Sequence, residues 1–91
     1  MNDDRVVAGD YLGKGVMCLV KGACIMTSIF RSKQVEINKD TVESCRVVDS
    51  GYNMNTKKKE YSIAVKLKNG KSFIMKVNEY IYLSLVQNGI L

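Results

Sequence analysis

YSIAVKLKNGKSFIMKVNEYIYLSLVQNG, residues 61–89, is the stretch whose reading decides the fold. Asn69-Gly70 sits between two β-prone runs, the strongest short-range hairpin signal in the chain. A two-residue turn there would place Lys66 opposite Phe73 and Ile63 opposite Lys76, leaving both faces half charged. A three-residue loop, Lys68-Asn69-Gly70 with Gly70 left-handed, pairs Val65 with Phe73, Ile63 with Met75 and Tyr61 with Val77. One face is then almost wholly apolar. The other carries Ser62, Lys66, Ser72 and Lys76, with Ala64 and Ile74 as exceptions. A slip of one residue would exchange the faces, so burial selects the second register.

After Val77 the period changes. Asn78 suits an N-cap, and Glu79 puts a negative charge in the first turn. Ile81 and Leu85 are four apart, as are Tyr82 and Val86, which makes one broad apolar stripe. Gly89 suits the position just past the helix end. So short a helix is not stable alone and must dock, with the apolar face of the hairpin as its nearest partner.

The remaining sequence reads as short strands. They are expected over 6–12, 16–20, 23–30, 34–38 and 41–49, with turns at 13–15, 21–22, 31–33 and 38–40. Val47-Val48 breaks alternation and marks a bulge. Residues 50–59 are polar and read as the longest loop. Asp40 followed by Glu43 reads as a capping box, and Asp3 and Asp4 read as solvated charge. The fold class is therefore mainly β (α+β). A single domain over 1–91 is expected: a bent antiparallel sheet or partly open barrel of six or seven strands, with one C-terminal helix plugging an open side.

Catalysis is not expected. The chain has no histidine, so the commonest general base is missing. No nucleophile elbow or phosphate loop is present. Cys18, Cys24 and Cys45 show no C-x-x-C spacing and read as half-buried small hydrophobes. No metal or other cofactor is expected. No run is long and apolar enough for a membrane span, and the acidic start lacks a signal peptide's basic and apolar regions, so the expected compartment is the cytoplasm.

The net charge of +5 favours an acidic partner. Lys57, Lys58 and Lys59 form the densest run. With Lys66, Lys68, Lys71 and Lys76, and with Tyr52 beside them, they read as a basic stripe able to hold an anion. Nucleic acid and anionic lipid headgroups are the matching ligands. The inward-facing aromatics Tyr61 and Phe73 do not interleave with these lysines, so no stacking platform is expected. Residues 23–30 carry apolar side chains on both faces. Ile25, Met26, Ile29 and Phe30 are therefore the expected interface, either in a homo-oligomer or against another protein.

Three stretches, GDYLGKG (9–15), FRSKQVEINKDTVESCRVVDS (30–50) and IAVKLKNGKSFIMKVNEYIYLSL (63–85), together resemble small bacterial and phage-borne proteins of the bacterial pleckstrin-homology-like superfamily. The resemblance covers roughly two-thirds of the chain, and the run from Asn38 to Ser44 is its most distinctive part. It implies a pleckstrin-homology-like fold. It also implies a non-enzymatic binding module acting by protein–protein contact, of the kind a phage or mobile element uses as an inhibitor or sponge. Such proteins commonly carry a long Gly/Ala/Leu-rich segment before the final hairpin. Here 51–59 alone spans that gap, so no membrane-contacting or self-associating role of such a segment is carried over to this chain.

Overall fold

The β6–β7 hairpin (Lys58–Leu67 and Ser72–Asn78) takes the three-residue loop. Val65 faces Phe73, Ile63 faces Met75 and Tyr61 faces Val77. The Leu67 N–H donates to the Lys71 carbonyl at 2.8 Å, Gly70 adopts φ +92°, and Asn69 Oδ1 accepts the Lys71 N–H at 2.9 Å. Ile63, Val65, Leu67, Phe73, Met75 and Val77 are buried, as alternation requires of a sheet covered on one face. The computed structural model describes residues 4–27 and 34–91.

Helix α1 (Glu79–Gln87) starts directly from β7. Asn78 Oδ1 accepts the Ile81 N–H at 3.0 Å. At the far end Gly89 adopts φ +73°. The Gly89 N–H reaches the Val86 carbonyl, and the Ile90 N–H reaches that of Leu85, a complete Schellman closure. Ile81 and Leu85 are buried. Full burial of each stabilises the docked helix by about 1.5–3 kcal/mol relative to exposure. The second row of the stripe is shallower. Tyr82 is half-buried and Val86 is exposed, so the apolar seam is narrower than four-residue spacing implies.

Seven strands and one helix make up the described residues. β1 (Arg5–Gly9), β7, β6 and β5 (Val42–Asn53) form one antiparallel sheet in the order β1-β7-β6-β5. β2 (Val16–Leu19), β3 (Gly22–Met26) and β4 (Gln34–Ile37) form a second. The sheets do not close into a barrel, and α1 packs against β2 and β3 as well as β6 and β7. This is the expected mainly β (α+β) arrangement of antiparallel strands with one C-terminal helix. Val6, Val16, Ile25, Ile37, Ile63, Met75, Ile81 and Leu85 form the centre of a core shared by both sheets and the helix. Ser84 Oγ lies 3.1 Å from the Leu19 carbonyl oxygen and 2.9 Å from that of Gly22, tying the helix to the β2–β3 turn.

Several sequence expectations change. β1 ends at Gly9, because Asp10 to Gly13 form a turn with Tyr11 at φ +62°. The expected 50–59 loop is mostly strand. β5 runs on to Asn53, β6 begins at Lys58, and only Met54 to Lys57 turn. Val48 is the expected bulge residue, and Glu43 is a second. The 38–41 turn is capped by Asn38 rather than Asp40: Asn38 Oδ1 accepts from the Asp40 and Thr41 N–H groups at 2.8 and 3.0 Å. Asp4 is buried rather than solvated. Asp3 lies outside the described residues.

Candidate binding cleft at the β5–β6 tip

The β5–β6 ladder is longer than the sheet beside it. β7 last pairs at Asn78, opposite Glu60, and then turns into α1. β5 and β6 continue through Tyr52↔Lys59 and Asn53↔Lys58. This overhang stands beside the first turns of the helix. The tip is internally fastened: Asn53 Oδ1 accepts from the Asn55 and Thr56 N–H groups at 2.9 and 3.2 Å. Its amide donates to Glu60 Oε1 at 2.6 Å. Lys57 closes the turn at φ +55°. Next along the hairpin, the Tyr61 ring stacks on Tyr82 at 4.1 Å with the planes 5° apart. That contact, worth about 0.5–1.5 kcal/mol beyond area, holds the helix against the strand.

Between overhang and helix lies a cleft of about 530 Å3. Lys57, Lys58, Lys59 and Tyr52 line it from the hairpin; Asn78, Glu79, Tyr80 and Leu83 line it from the helix side. Tyr80 is 79% exposed and Tyr52 56%. Leu83, and Met54 at the turn, add exposed apolar surface. Three ammonium groups against one carboxylate, Glu79, leave the cleft positive. Tyr61 and Phe73 face inward and Tyr52 stands beside the lysines, as expected; Tyr80, from the helix, joins that cleft, which corrects the expectation that no aromatic pair stands among them. The signal for Tyr80 was its place on the helix away from the Ile81–Leu85 stripe.

The other four lysines do not join this group. β6 alone spans roughly 30 Å at strand rise, so Lys68 and Lys71 sit at the opposite end of the sheet. Lys66 and Lys76 lie on the outer face, with Lys76 opposite Ser62 as expected. They are interleaved with carboxylates there. Lys66 Nζ lies 3.4 Å from Glu43 Oε2, an exposed pair of small energetic value. Lys76 shares a small depression of about 140 Å3 with Asp49 and Glu60. The sequence stripe thus resolves into one concentrated cluster and four dispersed charges.

Of the expected interface residues, Ile25 is fully buried in the chain's own core and cannot meet a partner; Met26 is half-buried. On the second face of β3, Cys24 is 1% exposed, so that face too is covered within the chain at Cys24, while Met26 stays partly open. Ile29 and Phe30 lie outside the described residues. Burial raises the Cys24 thiol pKa, with the Glu36 carboxylate adding to it, and burial pushes Cys45 up to about 12. Both shifts run opposite to what a thiolate nucleophile requires. Among the described residues no three His, Cys, Asp or Glu side chains form a metal-sized group, and no helix is long and apolar enough to cross a membrane. No family model, curated protein or solved structure matches the chain.

Proposed function

We propose that this chain is a non-enzymatic binding module that acts by protein–protein contact, and that its contact site is the cleft between the β5–β6 tip and α1. The partner is an acidic protein segment bearing aromatic or aliphatic anchors. One observation carries this reading: Tyr52, Tyr80 and Leu83 stand exposed within one cleft beside Lys57, Lys58 and Lys59. Exposed tyrosines at the centre of a concave patch are the usual anchors of protein contacts, and a basic rim selects for acidic partners and speeds their encounter.

A second reading draws on the same residues. Two exposed rings beside three ammonium groups also suit single-stranded nucleic acid, through stacking plus phosphate contacts. Fluorescence anisotropy separates the two. A labelled acidic peptide containing Phe and Leu, an oligo-dT strand and anionic vesicles are each titrated with the protein at low and at physiological salt. The proposal expects peptide binding that survives physiological salt through its apolar part and is lost in K57E/K58E/K59E. Oligo-dT binding with a steep salt dependence, and no peptide binding, would select the second reading. If no probe binds at low salt, both readings fail.

A further inference from the structure

β5 occupies an edge of the four-stranded sheet, and among the described residues no strand pairs with its outer side. It is twelve residues long and mostly exposed. Edges of this length are ordinarily blunted by lysine or proline. β5, VESCRVVDSGYN, has neither, in a chain of net charge +5. Its charges are Glu43, Arg46 and Asp49, and its centre is Val47-Val48, 40% and 44% exposed.

The bulge sets which residues share a face. Arg46 pairs across to Ala64 and Asp49 to Ser62, both on the outer face of the sheet. Cys45 and Ser50 pair to Val65 and Tyr61, both on the inner face. Without the extra residue at Val48, Arg46 and Asp49 would lie on opposite faces. The strand is therefore self-complementary about a point between Val47 and Val48. Run antiparallel to a second copy of itself, it sets each Arg46 opposite the other copy's Asp49 on the same face. Val47 then meets Val48, and Cys45 meets Ser50.

The geometry points to a two-fold dimer in which the β5 edges of two copies pair antiparallel across Val47-Val48, joining two four-stranded sheets into one of eight strands. Such an isologous contact closes on itself, so it consumes both edges and does not propagate. Each reciprocal Arg46–Asp49 pair fixes the register. Asp49 Oδ1 now accepts the Ser50 N–H at 2.9 Å; in the dimer the carboxylate turns to the guanidinium and that N–H joins the new ladder. The contact centres on Val47-Val48 and reaches the cleft only at its end, where Tyr52 lies in β5.

Sedimentation velocity over a concentration series tests this with the full chain. Wild type is expected to move from the 10.2 kDa monomer to twice that mass, and no further. R46D sets carboxylates against each other, and D49R sets guanidinium groups against each other. Because the axis doubles each change, either alone weakens the dimer roughly tenfold or more. R46D/D49R restores opposite charges and the dimer. Far-UV circular dichroism checks that each variant folds. Should a reversal unfold the chain, V48K gives the same reading, since an exposed side chain changes without touching the core. Wild type that stays monomeric, assembly beyond a dimer, or a dimer indifferent to both single reversals and to V48K overturns the pairing.

Discussion

The carboxylate of Asp4 holds Asn78 twice, through the backbone N–H at 2.7 Å and the side-chain amide at 3.0 Å, across 74 residues of sequence. Asn78 is the N-cap of α1, so the first strand's approach orients the residue that starts the last element. The amide donates to Asp4, which leaves Asn78 Oδ1 facing the Ile81 N–H.

D4A should therefore destabilise the protein more than a surface carboxylate does. It removes two charge-assisted hydrogen bonds and leaves the Asn78 amide without its acceptor, a loss of about 2–4 kcal/mol. N78A loses the cap as well, and the D4A/N78A double variant should cost less than the two singles summed. Urea denaturation of the four proteins measures this; full additivity would show that the two residues act separately.

Gly22 should accept no side chain. Its φ is +144°, and a Cβ there would stand 2.2 Å from the Ile37 carbonyl oxygen, a backbone atom that cannot step aside. G22A should lose several kcal/mol, or fail to fold, as expected where strain and overpacking coincide. Gly51 has no neighbour within 4 Å of its Cβ position, so G51A should shift the thermal midpoint little. Equal effects of the two substitutions would contradict this packing.

The three thiols should differ in reactivity. Cys18 is exposed, Cys24 is buried and Cys45 is half-buried. Iodoacetamide should label Cys18 first, with Cys24 and Cys45 protected until the chain unfolds. Cys45 also makes stability depend on alkaline pH. Its folded pKa, about 12, lies above the ordinary 9.0, so the folded state favours the neutral thiol. That contribution is whole below pH 9.0 and fades as pH rises through about 12. C45V should flatten this part of the alkaline stability loss in a urea-denaturation series. Identical pH profiles for C45V and wild type would contradict the assignment.

The β6–β7 register and the caps of α1 were legible because each rests on local pattern. Alternation from Tyr61 to Val77 admits one apolar face, and Asn78 and Gly89 bracket the helical period. The bulge at Val48 was legible for the same reason, as two valines cannot both point inward. Residues 50–59 misled because β5 and β6 there are joined by backbone pairing and polar side chains, with no apolar alternation to betray a strand. The cleft was hidden by that error, since a loop gives Tyr52 no defined place beside Tyr80. Asp4 was hidden because a carboxylate near the chain start reads as solvent-facing until its partner, Asn78, is brought to it. Ile25 was assigned to an interface because sequence shows two apolar faces on β3 but not what covers each.

Amide chemical-shift mapping of the full chain during titration with an acidic Phe- and Leu-containing peptide tests the assignment of the cleft most directly. The largest shifts should fall on Tyr52, Lys57, Lys58, Lys59, Tyr80 and Leu83. Y80A should weaken binding by more than about 1 kcal/mol while leaving the thermal midpoint near wild type, because the ring is exposed. Shifts centred instead on Arg46, Lys66 and Lys76 of the outer face, or binding unchanged in Y80A, would contradict the assignment of function to the cleft.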